Sequence, residues 1–230
     1  MSEDSATLSA FRLADSFLPV GAYTASYGLE QFVQADRVTD GEELQALLAT
    51  YLRQQLGPGE LVALRAAHAG ALADDVEAVC AADRRLTAVT LAAEFRDSAE
   101  QSGSRLLSLQ RELRDDTLFD RYADRVQAGD APGNYPVVLG VATALAGVDE
   151  REACLLCCHG FLTGLLGAAQ RLLSLGHTEA QRILDALQPE MVAAVEDSAD
   201  RSLAELSQFA PLVDVLAADH ERAERRLFVS

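Results

Sequence analysis

Cys154, Cys157, Cys158 and His159 bring four soft-ligand types into six residues. The CxxC spacing of the first two, with Cys158 beside them, puts three thiols on one helical face, the arrangement a metal-binding or redox thiolate site requires. The same stretch, ACLLCCHGFLTGLL, is also an apolar helix in which free cysteine serves as a small buried hydrophobe. No second CxxC completes a zinc site. His220-Glu221 begins like a zinc-protease motif, but position 224 is Glu224 where a second histidine would stand. Ser16, Ser26 and the neighbouring hydroxyls have no G-x-S-x-G context and no nearby histidine to act as base.

The segment RDDTLFD places Asp115, Asp116 and Asp120 about a turn apart. It resembles the aspartate-rich Mg²⁺ and diphosphate site of helical prenyl-transferring enzymes. No second aspartate-rich motif and no lysine accompany it, and an acidic helix junction on so charged a chain is usually a solvated surface. No complete catalytic set emerges, which favours a protein that works by binding other proteins. Leu227, Phe228 and Val229 at the end of the sequence, next to Arg226, suit a partner groove.

Composition narrows the classes further. The 230 residues carry 19 basic and 36 acidic side chains, a net charge of -17, which repels nucleic-acid phosphates and anionic lipid. Every basic residue is Arg. A P-loop lysine, a Schiff-base lysine and a lysine general base are therefore excluded. Acidity without Lys points to a high-GC genome or to adaptation to molar salt. The opening MSEDSATLSA has neither a basic nor an apolar region of a signal peptide, and the apolar run 153–175 is broken by His159, Gln170 and Arg171. A cytoplasmic protein with reduced thiols is expected, with no membrane and no nucleic-acid partner.

Apolar residues recur at three and four along most of the chain, and no alternating run suggests a strand. The expected fold is all-α, a single domain over 1–230 built as a bundle of roughly ten helices. Thr39 and Glu42 read as a capping box before Leu44, Leu47, Leu48, Tyr51 and Leu52. The helix they open should run over 40–56 and be stopped by Gly57, Pro58 and Gly59, with Pro58 in the first turn of the next helix. Further helices are expected at 74–84, 86–114, 118–127, 137–146, 150–175, 179–187 and 189–206. The break GDAPGNYP, 129–136, reads as a loop inside the domain.

The stretch DSFLPVGAYTASYGLE, 15–30, resembles the signature D-S-x-x-P-x-G-[AS]-[FY]-x-x-S-x-G-L-E of the UreF family of urease accessory proteins. Asp15, Ser16, Pro19, Gly21, Ser26, Gly28, Leu29 and Glu30 stand in register with it. Four more blocks follow in the family order. EFRDSAEQSGSRLL matches through Glu94, Arg96, Ser98, Gly103 and Arg105; GNYPVVLGVATALAGV and AAQRLLSLGHTEAQRIL match in turn; FAPLVDVLAADHERAERRLFVS is similar to the family's terminus. Asn134 stands where the family usually has His, and His177 where it usually has Gln.

The resemblance implies a non-enzymatic, all-α component of nickel delivery that has no cofactor of its own. Proteins of this kind form a homodimer, bind UreD (called UreH in some organisms) and recruit the GTPase UreG, which carries nickel to apo-urease. It implies that residues 1–30 and the tail 207–230 are partner-binding extensions. Asp15, Ser16, Pro19, Gly21, Ser26, Gly28 and Glu30 would shape the first surface, and His220, Glu221, Arg226, Leu227 and Phe228 the second. Arg226 would order the tail against UreD through its several donors.

Overall fold

The computed structural model describes residues 3–15, 17–20 and 26–220, with the backbone alone for 217–220. Among these residues there are twelve α-helices, one π-helix, one 3₁₀ turn and no strand. The N-terminal half runs α1 Glu3–Ala14, α2 Leu29–Gln34, α3 Gly41–Tyr51, the π-helix Leu52–Leu61, α4 Val62–Leu72, α5 Val76–Val89 and α6 Ala93–Leu113. There follow α7 Thr117–Gln127, α8 Tyr135–Leu145, α9 Glu150–Leu172, α10 His177–Ala186, α11 Gln188–Ala199, the 3₁₀ turn Leu203–Glu205 and α12 Pro211–His220.

The short helix α8 is apolar on every side, and a helix of that kind must be wrapped by others. Val137, Val138, Leu139 and Val141 are fully buried in it, with α4 and α6 packed alongside. The longer α9 has the length and composition of a membrane span, yet here it packs against α8, α11, α1 and α2 and contributes Cys154, Leu162 and Leu165 to the core. Arg65 of α4 ties three helices together. It pairs with Glu150 of α9 and donates to Ser198 Oγ at 3.0 Å and to the Val195 carbonyl at 2.8 Å on α11.

The all-α expectation is met, and several boundaries move. Gly57, Pro58 and Gly59 do not stop a helix: α3 continues through them by widening into ten residues of π-helix and emerges as α4. The N-cap of α3 is Asp40, whose carboxylate accepts from Glu42 N–H and Glu43 N–H. Thr39 instead donates to Glu43 through its N–H and its hydroxyl, one residue out of the expected box. The expected 86–114 helix is broken at 90–92, where Arg96 donates to the Thr90 and Leu91 carbonyls at 2.7 Å each. The 189–206 helix ends at Ala199 and a 3₁₀ turn closed by a Ser202–Glu205 capping box follows. Residues 3–14, to which periodicity assigned no element, form α1.

A buried polar knot holds the 129–136 loop. Asp83 Oδ2 accepts from Tyr122 Oη at 2.6 Å and from Gly133 N–H at 2.7 Å; Oδ1 accepts from Asn134 N–H at 2.9 Å and Asn134 Nδ2 at 2.7 Å. Burial raises the Asp83 pKa while these donors pull it back. Asn134, the departure from the family pattern, thus has a structural role, and its amide also donates to Thr87 Oγ1 at 2.7 Å. Gly103 lets α6 lie against this loop, since a Cβ there would sit 1.9 Å from the Gly133 carbonyl oxygen.

Candidate partner-binding surface

The N-terminal segment is fastened by its backbone. The Asp15 carboxylate accepts from Phe17 N–H at 2.9 Å, its carbonyl accepts from Leu18 N–H at 3.0 Å, and Arg105 of α6 donates to the Val20 carbonyl at 3.3 Å. Tyr27 and Gly28 then turn the chain through the left-handed region, at φ 47° and 78°. Tyr27 stacks between Phe95 and Phe161, with centroids 5.3 and 5.1 Å apart, and its carbonyl accepts from Tyr51 Oη. Gly28 suits the turn because its φ is strained for a residue with a side chain.

These contacts divide the expected surface residues into two sets. Ser26, Gly28 and Glu30 are buried behind the surface, where Glu30 accepts from Gln34 Nε2 at 3.1 Å. Asp15 and Pro19 are exposed, and between them Phe17 is 92% exposed. Leu8 and Phe11, three residues apart on α1, extend the apolar display. At the other end, Phe209 is 73% exposed and Leu212 and Val215 face outward from α12, while Val213 is buried and α12 packs against α2. His220 is the last residue of α12. Ser16, Gly21, Glu221, Arg226, Leu227 and Phe228 lie outside the described residues, as does the His220 side chain.

The candidate chemical groups have other duties. Asp116 is the N-cap of α7, accepting from Leu118 N–H at 2.9 Å; Asp120 pairs with Arg111 at 2.9 Å; Asp115 is exposed. Cys154, Cys157 and Cys158 are buried on the core side of α9. Burial pushes the Cys154 and Cys158 thiols up to about 12 and that of Cys157 well above its ordinary value, so all three hold their protons. Among the described residues no three His, Cys, Asp or Glu side chains converge as a metal site would require. His177 is exposed, with Nδ1 2.9 Å from Gln170 Nε2.

Sequence reasoning missed one feature, a cavity partly open to solvent. It has a volume of about 240 Å³ and lies between the end of α1, the π-helix, α6 and α9, and its walls include Tyr27, Gln55, Glu60, Tyr135, Cys157 and Phe161.

Fold and surface define the class: an all-α bundle whose candidate carboxylates and thiols are committed to caps, ion pairs and core, with apolar side chains displayed at both terminal segments. The UreF family model matches residues 38–188. The chain is 35% identical over 230 residues to "Urease accessory protein UreF" of Trichodesmium erythraeum, covering 100% of this chain and 99% of that one. It is 33% identical over 219 residues to "Urease accessory protein UreF 1" of Brucella melitensis, covering 95% and 90%. With the corresponding protein of Yersinia enterocolitica the identity is 31% over 217 residues, covering 94% and 95%. This chain belongs to the UreF family, whose members are accessory proteins and not enzymes.

Proposed function

We propose that this chain is a cytoplasmic, homodimeric scaffold in nickel delivery to urease. It docks on UreD (UreH) through its N-terminal segment and its C-terminal tail and recruits UreG to apo-urease. The observation that carries this reading is the display of Phe17, Phe209, Leu212 and Val215 on two terminal segments of a charged protein, since exposed apolar side chains gathered in this way mark interaction surfaces. Ser26, Gly28 and Glu30 support the first surface from behind, and Asp15 and Pro19 stand on it. In the tail, Arg226 clamps carbonyl or carboxylate groups of UreD, beside Leu227 and Phe228.

The test is urease activity and the nickel content of urease, expressed with its other accessory genes. The arms are the full chain, no chain, the chain ending at Arg225, and Leu212→Asp with Val215→Asp. The reading expects both signals to fall in the last three arms while the double variant keeps its helical signal and melting temperature. Full nickel loading without the chain would refute it.

A further inference from the structure

The cavity of about 240 Å³ opens to solvent beside the exposed wall residues Asp15 and Thr163, and α9 supplies much of its room. Gly160, Gly164 and Gly167 stand at i, i+4 and i+7 on one face of that helix, and all three line the cavity. Other helix glycines are there for packing. A Cβ at Gly103 would sit 1.9 Å from the Gly133 carbonyl oxygen, and one at Gly140 would sit 2.5 Å from that of Leu64. A Cβ at Gly160 or Gly167 would meet nothing within 4 Å. Glycine inside a helix is less stable than alanine, so at these two positions stability is given up and open space is what results.

The remaining walls divide into an aromatic side and a polar side. Tyr27, Phe95 and Phe161 all line the cavity, with the Tyr27 ring 5.3 Å from Phe95 and 5.1 Å from Phe161 and tilted by 54° and 60°. Such tilted rings at about 4.5–7 Å are the arrangement into which a further aromatic ring packs. Opposite chemistry comes from the π-helix. Its ladder joins residue i to i+5, so Gln55 and Glu60, five apart, are carried toward one side, where an α-helix would hold them about 140° apart. Both line the cavity. A strap from the segment before α12 fastens across this π-helix: Phe209 N–H donates to the Gln54 carbonyl at 3.2 Å, in place of the N–H that Pro58 lacks, and Ser207 N–H donates to the Pro58 carbonyl at 3.0 Å. Gln55 Oε1 takes no hydrogen bond from the protein and is open to water or to a guest's N–H or O–H alike. An anionic guest is disfavoured, because Asp15 and Glu60 bring carboxyl groups and the Arg96 guanidinium is committed to the Thr90 and Leu91 carbonyls.

Apolar cavities of about 150 Å³ hold benzene, so the volume here suits one or two fused rings. We propose that this cavity is a binding site for an uncharged aromatic group of the size of phenol or indole, with its ring against Tyr27, Phe95 and Phe161 and its N–H or O–H donating to Gln55 Oε1. The group is supplied by a free molecule or by a tyrosine or tryptophan side chain of a partner. The site itself does not rest on the reading that the terminal segments dock on UreD.

The chain contains no tryptophan, so the fluorescence of added indole reports its binding without a protein indole signal. Titrating the full-length chain into indole is expected to give a saturable blue shift. 1-Methylindole, which has no N–H, and indole-3-carboxylate, which is anionic, should each bind about fivefold more weakly or worse. Gly160→Leu and Gly167→Leu fill the open space and should weaken indole about tenfold, with melting temperatures at or above that of the wild type. Gln55→Leu keeps the bulk of the side chain and should bring indole and 1-methylindole to equal affinity. Absence of saturable binding to the wild type, or binding that both glycine variants leave unchanged, overturns the site. Equal affinity of the wild type for indole and 1-methylindole overturns the role of Gln55. Once the isolated chain binds indole, the complex with UreD separates the two sources: exclusion of indole assigns the seat to a side chain of the partner, and continued binding assigns it to a free molecule.

Discussion

Asp83 receives four hydrogen bonds in a place that water does not reach. Removing the carboxylate strands Tyr122 Oη and the donors of Gly133 and Asn134, and each buried unsatisfied group costs about 1–3 kcal/mol. Asp83→Ala is therefore expected to lower stability by about 3 kcal/mol or more in urea unfolding followed by circular dichroism, with Asp83→Asn losing less. An unchanged midpoint would show that the knot contributes nothing. The thiols make the converse case at this scale. Their spacing was legible, but whether three cysteines on one helical face meet a metal or a core depends on what packs over that face, and here burial keeps them protonated.

At the scale of the element, apolar periodicity placed most helices, while the capping residues were misplaced by one at α3 and unread at α7, and a break answered by a distant part of the chain was hidden. Asp40 caps α3 and Asp116 caps α7; Asp40→Ala should cost about 1 kcal/mol, measured in the same unfolding assay. The Gly-Pro-Gly triplet misled because its usual effect, an unpaired carbonyl at Gln54, is answered by an N–H group about 150 residues later in the sequence, that of Phe209. The break at 90–92 was hidden because apolar periodicity continues through it, although Arg96, reaching back to two carbonyls, marks the join. Arg96→Ala is expected to destabilise by about 1 kcal/mol, with loss of hydrogen-exchange protection confined to the start of α6. Uniform loss of protection would contradict a local clamp.

Over the whole molecule, charge and buried acids act in the same direction. Burial raises the carboxyl pKa values of Glu60, Asp83, Glu100 and Asp214. For such a group the folded state holds a proton after the unfolded chain has lost it. The unfolded state thus binds fewer protons, and stability falls as pH rises from the ordinary carboxylate range, about 4, through the raised values. Self-repulsion at a net charge of -17 adds to the same trend and is screened by salt. The melting temperature should rise as pH is lowered from about 7 toward 5, and at pH 7 should rise with added NaCl, the pH effect shrinking in Asp83→Asn. A melting temperature highest at pH 8 in low salt would refute the account.

The sequence by itself determined the helical class, most helix positions, the family and the acidic surface, because periodicity, capping and composition act through neighbours or through sums over the chain. Tertiary structure alone decided that Cys154, Cys157 and Cys158 are core, that Asp83 anchors a loop, that Ser26, Gly28 and Glu30 stand behind a surface, and that a strap fastens across a π-helix. Each of these depends on residues far apart in sequence meeting away from water, where an unpaired polar group is costly and a partner decides the outcome.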